Sequence, residues 1–227
     1  MTKPVTLTLD DGQQVSGLLL APQDASACYI LAHGAGAGMA HPFMAAVAIG
    51  LAERRIATLR YQFPYMERGS RRPDTPRLAH ATVRAAVDEA ARQLPGLPLL
   101  AGGKSFGGRM TSQAQAQAPL TGVRGLMFFG FPLHPAGKPS DERAAHLSDV
   151  DVPMLFLQGT RDELAETGLL RSLVERLGPC ATLQLFPDAD HSFHVPARSG
   201  RKDTEVLGEL LDVVAGWVAH WFRPPRV

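Results

Sequence analysis

Cysteine is scarce: the 227 residues hold only Cys28 and Cys180. They lie far apart and in no metal-ligand spacing, so they read as buried or incidental thiols. An excess of one charge is also missing. Lys and Arg total 23 against 22 Asp and Glu, a formal net charge of +1, which gives no reason to expect a nucleic-acid or other polyanionic partner. The one local excess, Arg68, Arg71, Arg72 and Arg77, reads first as a solvated loop face and second as an anion-binding rim. No stretch approaches the roughly twenty apolar residues of a membrane span. The segment Met1–Leu7 lacks the apolar core of a signal peptide. No linker, internal repeat or low-complexity tract interrupts the chain. The expectation is a single domain over residues 1–227, cytoplasmic, not membrane-bound, without metal or cofactor. Oligomeric state is open, since no helix face reads as an interface.

What is present is an alternation of strand and helix signals. Residues 4–9 and 14–20 alternate apolar and polar residues around Asp10-Asp11-Gly12, the mark of a β-hairpin. Continuous apolar runs at 28–32, 56–61, 97–101, 125–129, 154–158 and 181–186 suit strands covered on both faces. Helical patterns separate them at 41–54, 77–94, 110–118, 164–177 and 207–221. Such βα repetition predicts an α/β fold, a mostly parallel sheet with helices on both faces. Ligands in such sheets bind beyond the carboxyl ends of the strands. The longest irregular stretches are 62–76 and 130–152; the second is too short for a sizeable cap domain, so an open site is expected.

The run Ala101-Gly-Gly-Lys-Ser-Phe-Gly-Gly-Arg109 carries the chemical signal. Within it, Gly103-Lys104-Ser105-Phe106-Gly107 is a G-x-S-x-G pentapeptide between an apolar strand and a helix. That context is what a nucleophile elbow requires, because the turn is too tight for bulky neighbours. A serine hydroxyl is a poor nucleophile and needs a base, and the base needs an orienting acid. The chain supplies them in the order Ser, Asp, His. Asp162 follows the 154–158 strand, with Glu163 as its competitor and capping of the 164–177 helix as its bland role. His191 follows the last strand, with His194 three residues on and Asp188 and Asp190 as other acids. An oxyanion hole would draw one N–H from Phe106 and a second from the loop His33-Gly34-Ala35-Gly36, with Ala35 first and Gly36 the alternative.

That Gly-rich loop could cradle phosphate, but it has neither G-x-x-x-x-G-K-[ST] nor a well-placed G-x-G-x-x-G. His33, His41 and His134 lack the spacing or carboxylate company of a zinc site. Lys104 could bind an anionic substrate group, with the 68–77 arginines converging on it, or pair with an acid such as Glu67. Phe63, Tyr65, Phe131 and His134, by loop position, are expected to line an acyl pocket.

On these motifs the chain resembles the α/β-hydrolases over nearly its whole length. More narrowly, it is similar to a small, cap-less branch related to dienelactone hydrolases. The resemblance rests on His33-Gly-Ala-Gly-Ala-Gly38, Arg60-Tyr-Gln-Phe-Pro-Tyr65, Gly102-Gly-Lys-Ser-Phe-Gly-Gly-Arg109, Phe131-Pro-Leu-His-Pro135 and Asp190-His-Ser-Phe193. It implies an eight-stranded sheet with the first strands antiparallel, Ser105 as nucleophile, His191 as base and Asp162 as orienting acid. A dienelactone hydrolase proper carries cysteine where this chain has Ser105. The expected activity is therefore that of a serine hydrolase, a carboxylesterase acting on a small soluble ester or thioester. The alternatives are a non-catalytic protein-binding module on the same fold, or an acyltransferase or perhydrolase using the same three residues.

Overall fold

A computed structural model describes residues 1–222; the expected single domain extends to residues 223–227, which lie outside the described residues. Eight strands form one sheet in the order β1-β2-β4-β3-β5-β6-β7-β8. They are β1 (Lys3–Thr8), β2 (Gln14–Leu20), β3 (Ala27–Ala32), β4 (Ile56–Tyr61), β5 (Leu99–Lys104), β6 (Val123–Phe129), β7 (Met154–Gly159) and β8 (Ala181–Phe186). The expected hairpin is there: β1 pairs antiparallel with β2, and β2 antiparallel with β4. The remaining pairs are parallel. The chain leaves β3 for β4 on one side and later returns to β5 on the other. The crevice of this sheet therefore opens at the carboxyl ends of β3 and β5.

Six α-helices accompany the sheet: α1 (Pro42–Glu53), α2 (Pro64–Glu67), α3 (Pro76–Gln93), α4 (Phe106–Gln117), α5 (Thr167–Leu177) and α6 (Asp203–Trp221). The period-two alternation of each strand divides the core into two layers. In β3, Cys28, Ile30 and Ala32 face the layer filled by Val83 of α3, Met110 of α4 and Leu170 of α5. Ala27, Tyr29 and Leu31 face the layer filled by Val47 of α1 and Leu210, Val214 and Trp217 of α6. This is the α/β-hydrolase architecture with helices on both faces. Loop 130–152 contributes only a 3₁₀ segment, Glu142–Asp149, so no cap domain covers the strand ends.

Several boundaries differ from the sequence reading, and three of them have a clear physical reason. Strand β5 does not stop at Ala101 but continues through Gly102 and Gly103 to Lys104, paired with Met127 and Phe128 of β6. Helix α4 starts at Phe106 rather than Met110, because Ser105 itself makes the turn. Helix α5 starts at Thr167 rather than residue 164, because the Leu164 N–H is drawn to Asp162 Oδ1 (2.8 Å) and the Glu166 N–H to His134 Nε2 (3.0 Å). No helix among the described residues is long and apolar enough to cross a membrane.

Leu210 is fully buried where α6 covers the sheet. Leu210→Ala removes buried methyl groups from a close-packed layer and should cost about 2–5 kcal/mol, read as a lower urea midpoint at unchanged slope.

Candidate active site

Ser105 stands between the end of β5 and the start of α4 with φ 51° and ψ −116°, a conformation a non-glycine residue rarely holds. Its surroundings impose it. A Cβ on Gly103 would lie 2.2 Å from the Ala32 carbonyl oxygen, and one on Gly107 would lie 2.6 Å from the His33 carbonyl oxygen. Both glycines of the pentapeptide are thus required by backbone packed against them from the end of β3. The Ser105 N–H is tied to the Phe129 carbonyl (3.1 Å), and the hydroxyl projects above the sheet.

His191 and Asp162 reach this hydroxyl from neighbouring strand ends. His191 Nε2 is 2.9 Å from Ser105 Oγ, and His191 Nδ1 is 2.6 Å from Asp162 Oδ2. A carboxylate can only accept, so Nδ1 carries the proton and Nε2 presents its lone pair to the serine O–H. The Asp162 side chain is fully buried, whereas that of His191 is 25% exposed. The loop carrying His191 is shaped by Asp190, whose Oδ1 accepts the N–H groups of Ser192 (2.7 Å) and His194 (3.0 Å). The competitors point elsewhere. His194 pairs with Asp203 at 2.8 Å on the surface, and Glu163 is exposed.

Gln158, the penultimate residue of β7, is absent from the sequence reading of the site. It is fully buried; its Oε1 accepts the Phe131 N–H (2.9 Å) and its Nε2 donates to Asp162 Oδ2 (2.5 Å). Together with the Leu164 N–H, Gln158 and His191 give the buried carboxylate three donors, which offsets its loss of water. A lone amide inside the apolar run Leu155-Phe-Leu-Gln158 was the signal available in the sequence.

The loop after β3 lies opposite. Among the described residues the N–H groups of Ala35 and Phe106 have no hydrogen-bond partner, while that of Gly36 donates to the Tyr65 hydroxyl (2.8 Å). The Gly36 N–H is therefore occupied, whereas that of Ala35 is free. His33 supports the loop from behind. Its Nε2 accepts the Phe63 N–H (3.2 Å), which leaves Nδ1 protonated to donate to the Gly34 carbonyl (2.7 Å). Burial pushes the His33 imidazole down to about 4, so it is neutral near pH 7.

A cavity of about 370 Å³ opens beside the serine, walled by Gly34, Ala35, His41, Phe43, Met44 and Leu164, with Lys104, Ser105 and His191 at its floor. The expected pocket residues are not on this wall. Phe63 and Tyr65 are fully buried behind the loop that follows β3, where Phe63 packs against His33 and Phe106 at centroid distances of 5.0 and 5.4 Å. Phe131 is buried against Phe128 and Phe156. His134 is buried as well; its Nδ1 donates to the Pro135 carbonyl and its Nε2 accepts from Glu166, a structural role. In each case the loop folds back, so an aromatic next to a strand end enters the core instead of the cleft. Nor do the arginines converge on Lys104. Arg68 pairs with Asp74 (2.8 Å), Arg71, Arg72 and Arg77 are exposed, and none borders the cavity. Glu67 does not pair with Lys104 either; it accepts the Ser16 N–H. Among the described residues no group of three His, Cys, Asp or Glu side chains is placed to hold a metal ion.

With fold and site in view, the class follows: residues 25–219 match the alpha/beta hydrolase domain family, and the chain belongs to it. Among solved structures it is similar to a dienelactone hydrolase from Anabaena variabilis, at 21% identity and TM-score 0.77, covering 98% of this chain and 99% of that one. It is also similar to an α/β serine hydrolase without a lid from Xanthomonas campestris, at 22% identity and TM-score 0.75, covering 99% and 97%. An esterase domain from Rhodothermus marinus aligns at 16% identity and TM-score 0.74, covering 98% and 99%. At these identities the likeness is one of fold.

Two outcomes are expected. Gln158→Leu strands the Phe131 N–H and removes one donor from Asp162, so thermal stability should fall by roughly 1–3 kcal/mol in calorimetry. The second concerns acid. His33 and His146 both titrate near 4 when folded and near 6.5 when unfolded. Between those values the unfolded chain binds more protons, so stability is complete above pH 6.5 and is lost as pH falls toward 4. Urea midpoints measured from pH 7 to pH 4.5 should decline across that window.

Proposed function

We propose that this protein is a serine hydrolase, a carboxylesterase that cleaves a small ester or thioester through an acyl-enzyme. The observation that carries the reading is the continuous path from Ser105 Oγ through the His191 ring to the Asp162 carboxylate, at 2.9 and 2.6 Å. In this mechanism the substrate carbonyl carbon meets Ser105 Oγ while His191 Nε2 takes the hydroxyl proton. Negative charge gathers on the carbonyl oxygen, which the Phe106 and Ala35 N–H groups receive; α4 begins at Phe106, so its helix dipole adds to the same site. Asp162 keeps the imidazole in the tautomer that accepts from serine and stabilises the imidazolium that forms. That imidazolium protonates the leaving alcohol or thiol. A water molecule, deprotonated by His191, then attacks the acyl-enzyme and frees Ser105.

The cavity favours a modest acyl or alkyl group. Phe43, Met44 and Leu164 offer apolar surface, and about 370 Å³ leaves little space for a long chain. The strained φ of Ser105 also supports the reading, since a fold retains such a backbone where surrounding contacts over-determine it.

Labelling with a fluorophosphonate followed by intact mass is the direct test. One adduct on the wild-type protein and none on Ser105→Ala supports an activated serine; a folded wild type that takes up no label favours a binding module on this fold. With p-nitrophenyl butyrate, Ser105→Ala should lower kcat by about 10⁶-fold and Asp162→Asn by roughly 10⁴-fold. Undiminished turnover in Ser105→Ala would rule the mechanism out.

A further inference from the structure

Lys104 ends β5 and immediately precedes Ser105, yet its head group is turned toward a different strand end. Nζ donates to the carbonyl oxygen of His191 at 2.5 Å and lies 5.7 Å from the centre of the Phe193 ring. The stem passes over Gly34, where a Cβ would lie 3.5 Å from Lys104 Cγ. The head sits beside Gly130, where a Cβ would lie 3.0 Å from Nζ and 3.3 Å from His191 Nδ1. The chain thus leaves a side-chain-free slot at the ends of β3 and β6, and Lys104 and the His191 ring fill it side by side.

The contact is unusual in its energetics. Among the described residues Lys104 makes no ion pair; Asp162 and Asp190 act on it only through space. Burial of the ammonium outweighs their pull and holds its pKa down to about 8. A part-buried cation at the cavity floor, with a backbone carbonyl as its partner, loses solvation that no ion pair restores. Geometry gives a reason to keep it. In the sheet, β6 and β7 lie between β5 and β8, so the strands bearing serine and histidine are about 14 Å apart at ~4.8 Å per step. The His191 loop must travel back across that gap. Asp162 orients the ring, but it belongs to β7's end and does not set the distance to β5.

We propose that Lys104 is a positioning residue for His191, clamping the histidine's backbone carbonyl to the strand end that carries the serine and so setting the Ser105–His191 distance. Its consequence for turnover rests on the hydrolase reading; its consequence for the histidine ring does not.

Lys104→Met keeps the stem and removes donors and charge. With p-nitrophenyl butyrate, kcat should drop about 10–100-fold, the scale of a 1 Å misplacement, with KM changed by less than about threefold. Lys104→Arg should restore part of kcat. In ¹⁵N-histidine NMR, the wild-type His191 ring should show one tautomer, protonated at Nδ1, and the Met variant should show averaging between tautomers. An unchanged kcat with KM raised for a carboxylate-bearing ester such as p-nitrophenyl hemisuccinate would make Lys104 a substrate hook and overturn the proposal. Unchanged kcat and ring spectra would overturn it too. Should the wild type hydrolyse no ester, the hydrolase reading fails while the ring spectra still decide the clamp. If Lys104→Met is recovered unfolded, Lys104→Gln is read by the same measurements. Failure of both to fold makes the residue purely structural, and the proposal falls.

Discussion

The close approach of β5 to its two neighbours is the constraint on which the site depends. Gly102 and Gly103 run past the Met127 and Ala32 carbonyls with no room for a side chain, and Gly107 does the same past His33. Because these contacts are backbone to backbone, they cannot relax by rotamer changes. They force the turn at Ser105 into positive φ, point its hydroxyl out of the sheet, and start α4 at Phe106. The same packing brings the end of β3 beside the elbow, so that Ala35 and Ser105 line one cavity. One steric condition thus sets the turn at Ser105 and the start of α4 together.

Around that spot the polar groups are held by elements that do not move independently. Asp162 is desolvated but receives three donors, and Gln158 links it to the backbone of Phe131. His33 and Tyr65 hold the loop after β3 through a buried imidazole and a phenol oxygen. The Tyr65 backbone is in turn fixed by Asp74, which also pairs with Arg68. The arginine-rich stretch thereby contributes one residue to support and leaves the rest to solvent.

The neighbours in structure include a lid-less serine hydrolase and a dienelactone hydrolase, at 22% and 21% identity. A shared sheet at such divergence says that the scaffold tolerates wide change in surface and loops while the strand ends keep their relation. The cavity walls here come from the loop after β3, from the start of α1 and from Leu164.

Much of this was legible in the sequence. Apolar runs marked the buried strands, because a parallel strand covered on both faces has no polar alternation. The glycine spacing around Ser105 announced the elbow, and Asp162 and His191 were legible because each follows a strand end in the expected order. What the sequence by itself determined was therefore local: strand periodicity, the steric demand of Gly103 and Gly107, and the chain order of three reactive side chains. Tertiary structure alone decided the rest. Phe63, Tyr65 and Phe131 went into the core, His41, Phe43, Met44 and Leu164 became the cavity wall, Gln158 reached the carboxylate, and Lys104 crossed to the His191 carbonyl. Those outcomes depend on the direction in which a loop folds back and on distances between residues far apart in the chain. Neither quantity is encoded in a local pattern, since both are set by packing across the whole sheet.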